Sequence, residues 1–276
     1  MSFVKDWVGS VEQAYRAGRP VAFFFDYDGT LSPIVAHPSL AVLSETVREH
    51  LRELTSHERV SVGVISGRAL DDVLNMIRLP DVFYAGSCGS ELDLQGDRWQ
   101  YPLSLEAQTQ FQAVLAELRA VVPDFPGVWI EEKPLGFAVH YRAASPVIGA
   151  SFQLAFREMI TRFSGLHTLN ICEAFEVSPT EAWNKGTAVQ FILQKLPTDV
   201  HPVYFGDSEN DRPGMVSVRS VGGVTVAIGE TAPDCAEYRL AHATDLHADL
   251  ARMCESLSRH VERVMTTPDV GLTLTE

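Results

Sequence analysis

Residues 21–31 read Val-Ala-Phe-Phe-Phe-Asp-Tyr-Asp-Gly-Thr-Leu, and the rest of the chain is best understood outward from them. The first five are apolar at every position, which suits a central strand of a parallel sheet covered on both faces. In open α/β sheets the ligand crevice lies outside the carboxyl ends of the strands, so Asp26 and Asp28 should project into it. Gly29 lets the chain turn sharply there. Two neighbouring carboxylates repel, a repulsion that a bound divalent cation relieves, and one of them can then attack a phosphorus atom. A plainer reading also exists, since Asp and Gly are favoured in turns that merely close a core strand.

Three further segments shift the balance. Val62-Gly63-Val64-Ile65 is a second apolar strand and ends in Ser66-Gly67-Arg68, a hydroxyl and a guanidinium at a strand terminus. Asn184-Lys185-Gly186 opens an amphipathic helix with a lysine. Val203-Tyr204-Phe205-Gly206-Asp207-Ser208-Glu209-Asn210-Asp211 is another apolar strand running into acids. Taken singly, Ser66-Gly67 fits a helix-opening turn, Lys185 a solvated charge and Asp207-Ser208 a helix N-cap. Taken together they converge on one crevice.

The order DxDGT, Ser before Gly-Arg, Lys, then GDSxND resembles the haloacid dehalogenase superfamily of aspartate-nucleophile phosphatases. The resemblance implies that Asp26 is the nucleophile and passes through an aspartyl-phosphate, which divides a slow hydrolysis into two in-line steps. It makes Asp28 the group that protonates the departing sugar oxygen and later activates water. It places Mg²⁺ on the Asp26 carboxylate, the Asp28 backbone carbonyl and the Asp207 carboxylate, with Asp211 steadying the metal's waters. Ser66 and Lys185 become the clamp on the phosphoryl oxygens, and Thr30 holds the nucleophile loop. An acid at position 28 argues against the dehalogenase branch, where no leaving alkoxide needs a proton.

Composition agrees. The 276 residues are 46% hydrophobic and 21% charged, as expected of a soluble globular protein with one substantial domain and a smaller one. A net charge of −14 disfavours nucleic acid and anionic membranes, so a phosphorylated substrate must find local cations, supplied by the metal, Arg68 and Lys185. Cys88, Cys172, Cys235 and Cys254 have no metal-site spacing and read as reduced thiols of a cytoplasmic protein. No signal-peptide pattern or membrane-length apolar run occurs. Instead Val4, Trp7, Val8, Val11 and Tyr15 recur at helical spacing, closed by Gly18. Nothing calls for an obligatory protein partner.

Alternating strands and helices predict an α/β, Rossmann-like parallel-sheet core. Helices carry Leu51 and Leu54, then Leu70, Val73, Leu74 and Ile77, before a third strand at 82–84 and a glycine-rich turn at 85–91. The texture then changes to a hairpin around Gln95-Gly96-Asp97, a helix over 105–121, and strands at 128–131 and 137–142 about a turn with Pro134 and Gly136. A helix over 147–163 and strands near 166–171 and 174–178 follow. This is an inserted α+β cap, giving a core over 1–98 and 182–276 with the cap at 99–181. In this superfamily such caps close over the site and read the far part of the substrate. After Val264 the pattern weakens into a tail.

Within the cap, Glu131-x-Lys133, His140-Tyr141-Arg142 and Phe175-Glu176-Val177-x-Pro179 look like trehalose-phosphate phosphatases, as does Gly86-Ser87-Cys88-Gly89-Ser90-Glu91. This resemblance spans residue 21 to about 230 and implies a phosphorylated sugar, trehalose 6-phosphate first. Glu131, Lys133, His140, Arg142 and Glu176, with Arg68, are its candidate substrate contacts; buried hydrogen-bonding groups reject substrates that lack the matching hydroxyls. Two departures keep other substrates open. The chain has GDSENDRPG where this family usually has a second Asp after GD and then Thr-Asp-Glu, and Cys88 stands where many relatives have histidine. Glucosylglycerol phosphate, glucosylglycerate phosphate and sucrose 6-phosphate are the alternatives, a phosphomutase is a further enzyme class, and a non-catalytic phosphosugar sensor is the non-enzyme one.

Overall fold

The computed structural model describes residues 6–35, 40–133, 135–171, 173–180 and 183–266, so Val4, Pro134 and Cys172 lie outside the described residues. The first helix, α1 (Trp7–Arg16), leads into β1 (Val21–Phe25), α2 (Glu45–Ser56), β2 (Val60–Ile65), α3 (Leu70–Ile77) and β3 (Val82–Gly86). A hairpin of β4 (Glu91–Leu94) and β5 (Asp97–Gln100) follows, then α4 (Leu105–Val121), β6 (Trp129–Lys133), β7 (Gly136–His140), α5 (Pro146–Ile160), β8 (Leu166–Ile171) and β9 (Ala174–Pro179). The chain continues with α6 (Lys185–Leu193), β10 (His201–Gly206), α7 (Arg212–Ser220), β11 (Val224–Ile228), β12 (Tyr238–Leu240) and α8 (Ala243–Thr266).

Eight strands form one sheet in the order β12-β11-β10-β1-β2-β3-β4-β5, parallel from β12 to β3 and antiparallel thereafter. The apolar run of β1 is central and wholly buried because each face is covered. Val21, Phe23 and Phe25 pack with Trp7 and Val11 of α1, Leu51 of α2 and Leu246 and Leu250 of α8. Ala22 and Phe24 face the other way, onto Ala188, Val189 and Ile192 of α6 and Met215 and Val218 of α7. Period-2 alternation in a strand with no polar residue thus separates two apolar layers.

The second sheet, β6-β7-β9-β8, is antiparallel. One face is sealed by α4 and α5: Phe137, Val139, Phe175 and Val177 pack on Phe111, Leu115, Phe152 and Phe156. The residues between them in sequence point to the opposite face. There Glu131, Ala138 and Glu176 form one cross-strand row, and Trp129, His140 and Ala174 form the next. The large sheet reaches Gln100, two residues beyond the boundary read at residue 98. The elements after residue 220, β11, β12 and α8, carry no motif in the sequence; α8 ends at Thr266, and the rest of the tail expected after Val264 lies outside the described residues.

Candidate active site

Strands β10, β1 and β2 are neighbours in parallel register, Phe25 lying opposite both Phe205 and Val64, so their carboxyl ends come level. Asp26 and Asp28 leave β1 there, Ser66 and Arg68 leave β2, and Asp207 leaves β10. The turn after Asp26 is tight: Gly29 N–H donates to Ser32 O at 2.7 Å and Ser32 N–H to Tyr27 O at 2.9 Å. Gly29 has φ +83°, and a Cβ there would collide with the Asp207 carboxylate, so both backbone conformation and close approach require glycine. Thr30 does not hold this loop through its hydroxyl. It is fully buried, and its Oγ1 has no hydrogen-bond partner among the described residues.

Lys185 is delivered by the start of α6. Asn184 Oδ1 accepts from the N–H groups of Gly186 and Thr187, and Thr187 Oγ1 accepts from Asn184 N–H, a capping box that fixes the first helical turn. The Lys185 ammonium, 1% exposed, donates to Asp26 Oδ1 at 2.6 Å and Asp211 Oδ1 at 2.8 Å. Asp211 is saturated. Its Oδ1 also accepts from Tyr204 Oη at 2.9 Å, while Oδ2 accepts from the N–H groups of Asp207 and Ser208.

Oxygens of Asp26, Asp207 and Asp211 lie within 4.8 Å of one another, all three side chains buried. Burial, reinforced by the Asp211 and Asp207 charges, raises the Asp26 pKa well above the ordinary carboxylate value despite Lys185. Burial and the Asp211 charge push Asp207 up to about 7, against the pull of Lys185. Three hard-oxygen donors facing one ammonium are an over-acidic set, and they fit a divalent cation.

Asp28 and Arg68 form a bidentate pair, Nε to Oδ2 and Nη2 to Oδ1, each 2.7 Å. Arg68, read from the sequence as a cation for the substrate, is therefore engaged with the carboxylate expected to move protons. Ser66 is fully buried at the strand end, its Oγ accepting from Arg68 N–H at 3.1 Å.

Across the crevice, Lys133 Nζ donates to Glu176 Oε1 at 3.1 Å, and His140 Nε2 lies 2.7 Å from Glu131 Oε2. Burial alone would raise both glutamates; Lys133 beside Glu176, and His140 with Lys133 beside Glu131, outweigh it and lower them. Cys88 reaches this group from the core, its Sγ 3.7 Å from Glu176 Oε2, and burial pushes the thiol up to about 12. Ser87 and Cys88, both with left-handed φ (48° and 55°), make the bend that puts it there. Arg142 donates to Val35 O at 3.0 Å, tying the small sheet to the loop after the nucleophile.

A cavity of about 210 Å³ has Asp26, Asp28 and Asp207 on one wall and Trp129, Glu131 and His140 on the other. A larger one of about 360 Å³ lies beyond Lys133 and Glu176, and Asp26 and Asp207 line only the smaller. Of the candidate catalytic, metal and substrate residues, all line one of the two cavities except Ser66 and Asp211, and these bond directly to Arg68 and Lys185, which do. Tyr204 and Trp129 were not foreseen. Tyr204 is an ordinary member of an apolar strand until Asp211 folds back on it, while Trp129 shares the alternation that selects Glu131 and Lys133.

Solved structures share this fold. The C-terminal domain of the Candida albicans trehalose-6-phosphate phosphatase superposes with a TM-score of 0.79 at 21% identity, covering 90% of this chain and 96% of that one. A haloacid dehalogenase-like hydrolase from Bacteroides thetaiotaomicron gives 0.60 at 14% identity, covering 88% and 100%. The fold is that of the haloacid dehalogenase-like phosphatases. Within that class the chain belongs to the trehalose-phosphatase family, which matches residues 24–239. Similar sequences include the trehalose 6-phosphate phosphatase RA3 of Zea mays, 29% identical over 87% of this chain and 71% of that protein. The trehalose-phosphate phosphatase of Mycobacterium tuberculosis is 34% identical over 88% of this chain and 62% of its own length.

Proposed function

We propose that this protein hydrolyses trehalose 6-phosphate to trehalose and inorganic phosphate through a phosphorylated Asp26. The observation that carries the chemistry is the buried Asp26 carboxylate, gripped by Lys185 at 2.6 Å at the end of the central strand and facing the polar row of the small sheet. An Asp26 oxygen attacks phosphorus while the bond from phosphorus to the sugar oxygen breaks, and Asp28 gives its proton to that oxygen. Water then attacks phosphorus and loses a proton to Asp28, the acyl-phosphate opens, and phosphate leaves with Asp26 restored. Arg68 orients Asp28 through its bidentate grip. Lys185 and Ser66 stabilise the charge growing on the phosphoryl oxygens.

The family indicates a divalent metal, and we take it to be Mg²⁺ on the Asp26 and Asp207 carboxylates and the Asp28 carbonyl. Bound there, it would keep Asp26 ionised and draw charge off the transferring phosphoryl group. Asp211, with both oxygens already engaged, serves as an outer support. The segment 99–181 acts as the cap, with Glu131, Lys133, His140 and Glu176 exchanging their mutual contacts, and Arg142 its contact with Val35 O, for sugar hydroxyls. Among the described residues no helix is long and apolar enough to cross a membrane, and Cys88, Cys235 and Cys254 are free thiols. We place the enzyme in the cytoplasm.

Phosphate release from trehalose 6-phosphate, glucosylglycerol phosphate, glucosylglycerate phosphate and sucrose 6-phosphate, with Mg²⁺ and with EDTA, tests this reading. Trehalose 6-phosphate should be preferred and EDTA should stop turnover. Asp26→Asn should lower turnover by at least about 10³-fold with the fold intact; retained turnover rejects the nucleophile. Preference for another sugar reassigns the cap, and ligand binding without phosphate release from any of them identifies a sensor.

A further inference from the structure

The exposed side of the small sheet carries two parallel rows. Glu131, Ala138 and Glu176 make the first and Trp129, His140 and Ala174 the second, each row crossing β6, β7 and β9 in register. Rows two residues apart along a strand are separated by about 7 Å, roughly the width of one pyranose ring. The rows differ in chemistry. Glu176, in the first, lines the cavity with Asp26, and its Oε1 lies 3.2 Å from where a Cβ on Gly67 would sit, which places this row against the end of β2. The second has an aromatic platform at one end and a bare methyl at the other. Ile34 and Val35 of the core loop line the same cavity, and Arg142, two residues after His140, donates to Val35 O at 3.0 Å.

Trp129 is also braced. Its ring stacks on the His140 ring with centroids 4.1 Å apart and 14° between planes, and His140 is anchored by Glu131 at 2.7 Å. A half-buried tryptophan held in one orientation at a cavity wall offers a flat apolar surface with little rotamer freedom left to lose. Ala174 keeps the row open. Ile34, 53% exposed, adds aliphatic surface from the other side of the crevice.

Resting on the phosphatase reading above, we propose that Trp129 is the platform for the second, unphosphorylated sugar ring, whose C–H face packs on the indole. The first row then reads hydroxyls of the ring that bears phosphate, and the Glu131–His140 contact couples the two. The disaccharide is selected by an aromatic contact that a monosaccharide phosphate does not reach. Dispersion and apolar burial, with no new charge, supply the discrimination.

The test compares kcat/KM for trehalose 6-phosphate and glucose 6-phosphate in the wild-type protein, Trp129→Ala and Trp129→Phe, with Mg²⁺ present. If glucose 6-phosphate is turned over too slowly, its Ki as a competitor of trehalose 6-phosphate replaces its kcat/KM. Trp129→Ala should lose about tenfold or more on the disaccharide, mainly through KM, and change less than about threefold on the monosaccharide. Trp129→Phe should recover most of the loss. Equal losses on both substrates, or none on either, overturn the proposal. A wild-type protein that ignores trehalose 6-phosphate but dephosphorylates another sugar rejects the substrate reading instead.

Discussion

Two clusters of carboxylates and cations face each other across the crevice, and their charge balance is opposite. On the large sheet, Asp26 and Asp211 share Lys185 with Asp207 beside them, and the pKa values of Asp26 and Asp207 are raised. On the small sheet, Glu176 has Lys133 and Glu131 has His140, and both glutamates are lowered. Burial pushes all four carboxylates the same way, so the sign of each shift reports whether enough positive charge is present. The first cluster is short of cations, a shortage that a bound divalent metal would relieve. The second is already paired, and it can exchange those contacts for sugar hydroxyls without any ion.

Removing Lys185 should break this contrast most sharply. In Lys185→Met the three carboxylates lose the ammonium that separates Asp26 from Asp211, and the phosphoryl clamp loses a donor. Turnover should fall by about 10²–10³-fold. Without metal the variant should also lose stability, on the order of 3–5 kcal/mol, because a buried pair broken on one side leaves uncompensated charge. Denaturation with and without Mg²⁺ would show the ion restoring part of that loss. Wild-type turnover in this variant would remove Lys185 from the mechanism.

What could be read from the sequence follows from the range of the forces involved. Strand β1 was legible because the five residues at 21–25 are apolar on both faces, and Asp26, Asp207 and Lys185 because each sits within two residues of an element boundary. Strands β11 and β12 and helix α8 were missed because only packing distinguishes them; Leu246 and Leu250 show their role only once Phe23 and Phe25 need a cover. The pairing of Arg68 with Asp28 was hidden for a related reason. Forty positions separate them in the chain, and only the β1–β2 register brings them within 2.7 Å. The cap residues were legible as a face, by alternation along β6, whereas their pairings depend on the order β6-β7-β9.

A smaller effect tests the shortage of cations by pH. Asp207 sits near 7 in the folded protein, above its unfolded value, so between about pH 4 and 7 the native state binds more protons than the unfolded state. Stability of the metal-free protein should therefore be fullest below about pH 4, as far as this group is concerned, and decline as pH rises through 7. The raised pKa of Asp26 acts in the same direction. Mg²⁺ competes with these protons, so its stabilisation should grow with pH, reaching about 2.7 kcal/mol at a hundredfold excess over Kd. Thermal melts with Mg²⁺ and with EDTA at pH 5.5 and 8 provide the check. A larger Mg²⁺ shift at pH 5.5 than at 8 would contradict an over-acidic cluster.

The small-sheet cluster should show the mildest response, and a different kind of response. Glu176→Gln keeps the shape of the side chain but removes the charge that Lys133 faces, while Glu131 still lies close enough to Lys133 to hold up its pKa. Lys133 thus keeps one carboxylate partner, and the stability loss should be smaller than in Lys185→Met. Substrate hydroxyls now meet a carboxamide where a carboxylate accepted their hydrogen bonds, so kcat/KM for trehalose 6-phosphate should drop by about tenfold, chiefly in KM. Because burial and Lys133 together leave Glu176 below its ordinary pKa, the wild-type pair keeps its charges across neutral pH, and the KM defect should be nearly constant from pH 6 to 8. The Mg²⁺ requirement should be unchanged, since no metal-facing carboxylate has been altered. If Glu176→Gln instead weakened Mg²⁺ binding as strongly as it raised KM, the two clusters would be one electrostatic unit, and the division of labour between the sheets would fail.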